Sequence, residues 1–149
     1  MNPYEASVIA AIVGAGVALF ANYWRTRYTA RAQDFSKRVE DVATLITKLE
    51  VISCEYWGRK EPVSLDIVEH MLGLQAKIGL MLEFLDRGYK NFNEAQVLNE
   101  VRAFSEACTG GTFGQTSQAR EVKPEQIREI LYTGEKLKIA LLETRALQY

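Results

Sequence analysis

The sequence predicts an all-α protein in which a single N-terminal transmembrane helix continues into a cytoplasmic four-helix bundle. Three observations lead to this fold class: an uncharged run near the N-terminus, apolar residues at helical spacing in every later segment, and no stretch with the alternation of a strand. The 149 residues suffice for one compact domain. We therefore assign residues 1–24 to a transmembrane segment and residues 25–149 to a cytoplasmic helical domain.

Residues 6–24 form the predicted transmembrane helix. These nineteen residues carry no charge, and at roughly 1.5 Å per residue they extend about 28 Å, close to the hydrocarbon thickness of a bilayer. Tyr4 at one end, with Tyr23 and Trp24 at the other, places aromatic rings at both expected headgroup layers. A soluble core helix is an alternative because the run is rich in alanine. A cleaved signal peptide is another, although no basic residue precedes the run.

Basic residues directly after the run predict its orientation. Residues 25–38 hold five Lys and Arg against one Asp, whereas residues 39–149 hold 13 bases and 17 acids. Because positive residues beside a span stay in the cytoplasm, we expect the N-terminus outside the cell inner (plasma) membrane and the C-terminal domain in the cytoplasm. Arg25, Arg27 and Arg31 are then expected at the membrane interface, near anionic headgroups. This role explains the basic cluster without a nucleic-acid partner. RNA binding by the cluster is the less favoured interpretation.

One face of the predicted span consists of small side chains and predicts a contact between membrane helices. Small residues let two helix backbones approach closely in lipid, where van der Waals packing drives association. We therefore expect the chain to form a homo-oligomer in the bilayer. The residues expected in this contact are Ser7, Ala10, Ala11, Gly14, Ala18 and Asn22.

Heptad spacing predicts that the membrane helix continues as a long juxtamembrane helix over residues 25–57. No Gly or Pro interrupts the chain between Val17 and Trp57. The positions expected to face the core step by four and three residues, as in a bundle seam. They are Phe35, Val39, Val42, Ile46, Leu49, Ser53 and Tyr56.

Three further amphipathic helices are predicted at about 64–87, 93–109 and 124–147. Ser64 is expected to cap the first of them and Gly88 to close it in the C′ position. Short connections between amphipathic helices are typical of an up-and-down bundle. The expected core positions are Ile67, Met71, Leu74, Ile78, Met81 and Leu85, then Val97, Val101, Phe104 and Cys108, then Ile127, Ile130, Leu131, Leu137 and Leu141.

The long connection between the last two helices is a candidate ligand or partner loop. Its glycines could form backbone nests for an anion, with two basic residues nearby. Gly110, Gly111, Gly114, Arg120 and Lys123 are the residues expected to contribute. It lacks a Walker motif, because no Gly-Lys-Ser/Thr follows and no strand precedes it. A flexible connection is the alternative.

The sequence contains no recognisable catalytic or metal site. Eighteen basic residues oppose nineteen acidic ones, so overall charge predicts no general affinity for nucleic acid. The two cysteines, Cys54 and Cys108, lack CxxC spacing and are expected to be reduced core thiols. His70 is the single histidine, so neither a metal site nor a nucleophile–base pair can be assigned. We expect no enzyme activity and no cofactor.

A bilayer span followed by a small four-helix cytoplasmic domain resembles the membrane accessory proteins of Cas13-type CRISPR systems and other small prokaryotic antiviral membrane effectors. The resemblance covers the whole chain and is architectural. It implies a HEPN-like helical domain and assembly into a membrane pore. The Arg–His spacing of HEPN ribonucleases is missing, since Arg59 precedes His70 by eleven positions. Ribonuclease activity is therefore not expected.

These features together predict an oligomeric single-pass membrane effector that perturbs the membrane barrier, in antiviral defence. Its expected partners are the lipid bilayer, further copies of the chain, and a cytosolic protein or nucleotide that delivers a signal. The alternative is a membrane-tethered helical adaptor that docks a cytosolic protein. Leakage of the membrane on overproduction distinguishes the two, because a pore leaks and an adaptor does not.

Overall fold

The fold is described from a computed structural model of the chain. The described residues are 3–89, 92, 94–111, 113–114 and 121–146. The side chains of residues 3–11, 94, 96, 145 and 146 lie outside this description.

Four α-helices account for the described secondary structure. They are α1 (Pro3–Gly58), α2 (Leu65–Gly88), α3 (Glu94–Thr109) and α4 (Pro124–Ala146). No strand occurs within the ranges given above. The prediction of an all-helical fold with four helices is thus confirmed for the described residues.

The chain forms two compact units, residues 1–34 and residues 35–149. The first unit contains the N-terminal part of α1. The second contains the remainder of α1 together with α2, α3 and α4, and it holds the hydrophobic core. In the second unit α3 packs against both α4 and α2.

The seam predicted on α1 faces the core of the second unit. All seven of its positions, from Phe35 to Tyr56, are buried, because steps of three and four residues keep one side of a helix turned toward its neighbours. Aromatic rings close one end of this core. Phe35 lies edge-on to Tyr89, with ring centroids 4.9 Å apart, and 6.2 Å from Phe92.

The predicted core positions of the other helices are correct in most places and wrong in one. Leu131 of α4 is 50% exposed, whereas its neighbour Ile130 is fully buried. Two adjacent residues lie about 100° apart on a helix, so only one of them can face the bundle squarely. On α2, Ile67 and Met81 are half-buried, and the adjacent Val68 and Leu82 occupy the core instead.

The ends of α2 follow the predicted capping residues in position but not in detail. Ser64 is the N-cap residue, yet its side chain makes no capping hydrogen bond. Gly88 is the last helical residue rather than the residue beyond it, and the C-cap is Tyr89 in an extended conformation. The Tyr89 N–H donates to the carbonyl of Leu85 at 3.0 Å, so the end of α2 does not use a left-handed glycine.

Among the described residues, no helix combines the length and the apolar character needed to cross a membrane. Residues 6–11, which begin the predicted span, are among those whose side chains lie outside the description.

Candidate functional site

The aromatic and basic residues predicted at the membrane interface divide between two faces of α1. Tyr23, Trp24, Arg27 and Arg31 line one shallow groove of about 360 Å³ together with Tyr28. Positions 24, 27, 28 and 31 follow the i, i+3, i+4, i+7 spacing of a single helix face. The structure therefore brings four of the predicted interface residues together.

Arg25 lies on another face of the same helix. It lines a second groove with Asn22, Thr26 and Thr29. The two threonine hydroxyls donate to the carbonyls of Asn22 and Arg25, each at 2.8 Å, so they are satisfied within their own helix. Tyr4, the aromatic residue predicted for the other interface, has no described side chain.

Gly14, Ala18 and Asn22 are the members of the predicted helix–helix contact whose side chains are described, and all three are exposed. A Cβ atom added at Gly14 would have no neighbour within 4 Å. Ser7, Ala10 and Ala11 belong to α1, but their side chains lie outside the described part of the structure. The small face is thus accessible wherever its side chains are described.

The large apolar residues of the same segment are also exposed. Leu19 has 71% of its surface accessible, and the other large apolar residues between Ile12 and Trp24 have 59% or more. The rings of Phe20 and Trp24 contact each other, with centroids 6.4 Å apart. In general, contiguous exposed apolar patches mark interaction sites for a protein or a membrane, or ligand-binding grooves.

The glycine loop after α3 is attached to the end of the bundle. The N–H of Gly114 donates to the hydroxyl of Tyr56 at 2.9 Å, and the ring of Phe113 lies 5.1 Å from the Tyr56 ring. Gly111 and Gly114 have φ values of 66° and 83°, a region that side chains with a Cβ rarely adopt. These glycines therefore shape a turn that packs on α1.

Lys123, one of the two basic residues expected beside the glycines, packs on an aromatic ring of α1. The Lys123 ammonium lies 5.3 Å from the centroid of the Trp57 ring, a cation–π contact. The Trp57 indole in turn donates to the carbonyl of Cys108 at 2.9 Å. Arg120 lies outside the described residues. In the part of the loop that is described, Lys123 and the glycines support the junction of α1 with α3.

A buried ion pair joins α1 to α4, and sequence reasoning missed it. The Lys138 Nζ lies 3.2 Å from Glu50 Oε2 and 2.8 Å from Glu135 Oε2. The Glu50 side chain is only 8% exposed. A Cβ atom at Gly134 would overlap the Glu50 carboxylate, with its Cδ only 2.8 Å away. Glycine at 134 thus makes room for the carboxylate. The glycine in the middle of an amphipathic helix was the one sequence feature that could have indicated this close approach.

The Lys138 ammonium is held in its charged form by this pair. Burial by itself lowers the pKa of Lys138, but its hydrogen bonds to Glu135 and Glu50, with the charges of both carboxylates, outweigh burial and raise the pKa above its ordinary value of 10.5. The role of this ion pair is to fix the position of α4 on α1.

Both cysteines are free thiols and neither is activated. Burial raises the pKa of Cys108 to about 12, and burial with the nearby Glu50 carboxylate raises the pKa of Cys54. A thiol attacks as the thiolate, so these shifts make both residues poor nucleophiles near neutral pH. They behave as small apolar groups of the core.

His70 lies on the surface of the second unit. It lines an open, largely apolar groove of about 430 Å³ with Thr47, Lys48, Val51 and Ile52. Among the residues the structure describes, no cluster of three or more His, Cys, Asp or Glu side chains could hold a metal ion. The groove offers contact surface rather than a set of reactive groups.

No protein-family model matches this chain, and neither a curated protein nor a solved structure matches it significantly.

Proposed function

We propose that this chain is an oligomeric single-pass membrane effector that perturbs the barrier of the bacterial inner membrane. The observation that carries the proposal is the exposed apolar segment of α1, in which large side chains from Ile12 to Trp24 are 59% or more accessible. In water each would cost roughly 1.5–3 kcal/mol relative to burial. A bilayer would cover all of them at once.

The residues that follow the apolar segment support the same assignment. Trp24, Arg27 and Arg31 share one face, and such an order of apolar, aromatic and basic residues suits the hydrocarbon, headgroup and cytoplasmic layers in turn. In this proposal the N-terminus lies outside and the C-terminal helical bundle lies in the cytoplasm. A reporter fused after Tyr149 tests this, since periplasmic activity of the fusion would contradict the orientation.

Self-association through the small face is the second part of the proposal. Gly14 and Ala18 lie one helical turn apart and leave room for a neighbouring backbone. Large side chains at these positions would hold two helices apart, whereas a change on the bulky face would not. The wider resemblance to antiviral membrane effectors makes defence against phage the context in which such a barrier defect would act.

Dye uptake by expressing cells tests the barrier function. We expect leakage from cells that overproduce the parent chain and the control Val13→Leu, and none from Gly14→Leu, with all three chains equally abundant in the membrane fraction. Recovery of the parent chain in the soluble fraction rather than the membrane fraction would refute the membrane anchor. Leakage that persists in Gly14→Leu would refute the role of the small face.

A membrane-tethered adaptor is the second candidate function. The observation that favours it is the apolar groove beside His70, which could receive an apolar segment of a cytosolic protein. Membrane association of the parent without any dye uptake would favour the adaptor over the effector.

A further inference from the structure

Helix α2 carries a second apolar surface that faces away from the core. Leu72, Leu80 and Phe84 are 42%, 66% and 51% exposed. The buried positions of the helix, from Val68 to Leu85, occupy its other side. A helix in a small bundle needs one apolar face for the core. On this second face the Phe84 ring contacts the Arg38 guanidinium of α1, which lies 5.8 Å from the ring centroid, whereas Leu72 and Leu80 remain exposed among the described residues.

The outward positions of α2 form a regular seam. They step by four, three, four, three and four residues, which is the spacing of a helix that packs along another helix. All six are exposed. The α2 seam consists of Glu69, Gly73, Ala76, Leu80, Glu83 and Arg87.

Among the residues that the structure describes, nothing explains the small residues of the α2 seam. A Cβ atom at Gly73 would have no neighbour within 4 Å. Glycine inside a helix costs about 1 kcal/mol relative to alanine, and no close contact in this bundle offsets that cost. A helix packed from outside against Gly73 and Ala76 would use the space they leave.

We propose that the α2 seam binds the α2 seam of a second copy of this chain, antiparallel, about a two-fold axis at Ile78. The seam is complementary to itself about that point. Leu80 would lie over the partner's Ala76, so the large apolar side chain of the seam meets a small residue, and Gly73 would lie beside the partner's Glu83. Glu69 would lie beside the partner's Arg87, which gives opposite charges at both ends.

Charge decides between the two directions of packing. A parallel pair would set Glu69 against the partner's Glu69 and Arg87 against the partner's Arg87, and like charges at close range oppose association. In the antiparallel pair Arg87, which already pairs with Glu83 in its own helix, also meets the partner's Glu69. The antiparallel direction therefore places an acidic residue opposite a basic one at each end of the seam.

The contact is separate from the small face of α1 on which the proposed function rests. It uses residues of the second unit alone, so it is tested by probes on α2 that do not depend on membrane leakage.

Site-specific cross-linking of the full chain in mild detergent tests the proposal. Differently tagged Ala76→Cys and Leu80→Cys chains are co-expressed and treated with a short bifunctional thiol reagent, with the parent as background for its native cysteines. We expect a mixed dimer from this combination and none when Leu131→Cys, on the exposed side of α4, replaces either chain. Absence of the mixed dimer, or cross-linking of Leu80→Cys to a different protein instead, would overturn the proposal.

Two further variants exclude misfolding as the cause of a lost cross-link. Gly73→Leu should abolish the cross-link while leaving the melting temperature unchanged or raised, since the added side chain meets nothing in its own chain. Glu69→Arg and Arg87→Glu should each weaken the cross-link, and the double variant should restore it. A cross-link that survives Gly73→Leu, or a double variant weaker than both single ones, would contradict the antiparallel seam.

Discussion

Replacing Gly134 with alanine should destabilise the bundle, although alanine is the better helix former. The new Cβ would overlap the Glu50 carboxylate and lie 3.0 Å from Glu50 Cγ. Glu50 cannot move aside freely, because its side chain is 8% exposed and is paired with Lys138. The substitution therefore sets a gain in helix propensity against the loss of a buried ion pair.

The sizes of the two effects predict the sign of the result. Alanine gains about 1 kcal/mol over glycine in a helix. Breaking a fully buried pair costs roughly 3–5 kcal/mol, but Lys138 is 22% exposed and keeps its contact with Glu135, so we take about 2–3 kcal/mol. The free energy of unfolding should fall by about 1–2 kcal/mol, a drop in melting temperature of roughly 4–8 °C.

Thermal unfolding followed by circular dichroism measures this effect, with Gly79→Ala as the matched control. A Cβ atom at Gly79 meets nothing within 4 Å, so the same substitution on α2 should stabilise by about 1 kcal/mol. In a Glu50→Ala background, Gly134→Ala should become neutral or stabilising, because the carboxylate that it displaces is gone. A Gly134→Ala protein as stable as the parent would refute the steric argument.

Other parts of the bundle give three further predictions. Because the pKa of Lys138 is raised, its pairing stabilises the fold below pH 10.5, and that contribution is lost as pH rises through the folded-state pKa. Over that pH range, the free energy of unfolding should fall less in Lys138→Met than in the parent. Leu49→Ala should lower the free energy of unfolding by roughly 2–5 kcal/mol, whereas Leu131→Ala should change it by less than about 0.5 kcal/mol. If denaturant unfolding shows a larger loss for Leu131→Ala than for Leu49→Ala, the core face is misassigned. Tyr56→Phe removes the hydroxyl that accepts from Gly114 and should cost about 1 kcal/mol, with faster proteolysis of the following loop; an unchanged cleavage rate would show that the contact does not hold the loop.

The sequence by itself determined the helical fold and the core face of α1. Heptad spacing from Phe35 to Tyr56 needs no knowledge of the partner helices, because any apolar stripe along one side of a helix must be buried. The exposed apolar and basic segment from Ile12 to Arg31 was likewise readable, since charge and hydropathy are properties of the residues themselves. Small errors, such as Leu131 for Ile130 in the core, come from the 100° between neighbouring positions.

Only the tertiary structure decided which polar and glycine residues serve the fold. Glu50 follows Leu49 in the sequence and looks like a solvated acid, yet Lys138, 88 residues away, and the open space at Gly134 place it inside the bundle. In the same way, Gly114 and Lys123 belong to the loop predicted as a candidate ligand or partner site, and only the structure shows that they contact Tyr56 and Trp57. A side chain's role depends on what the other helices bring within a few ångströms of it, and local patterns of charge or glycine do not contain that distance.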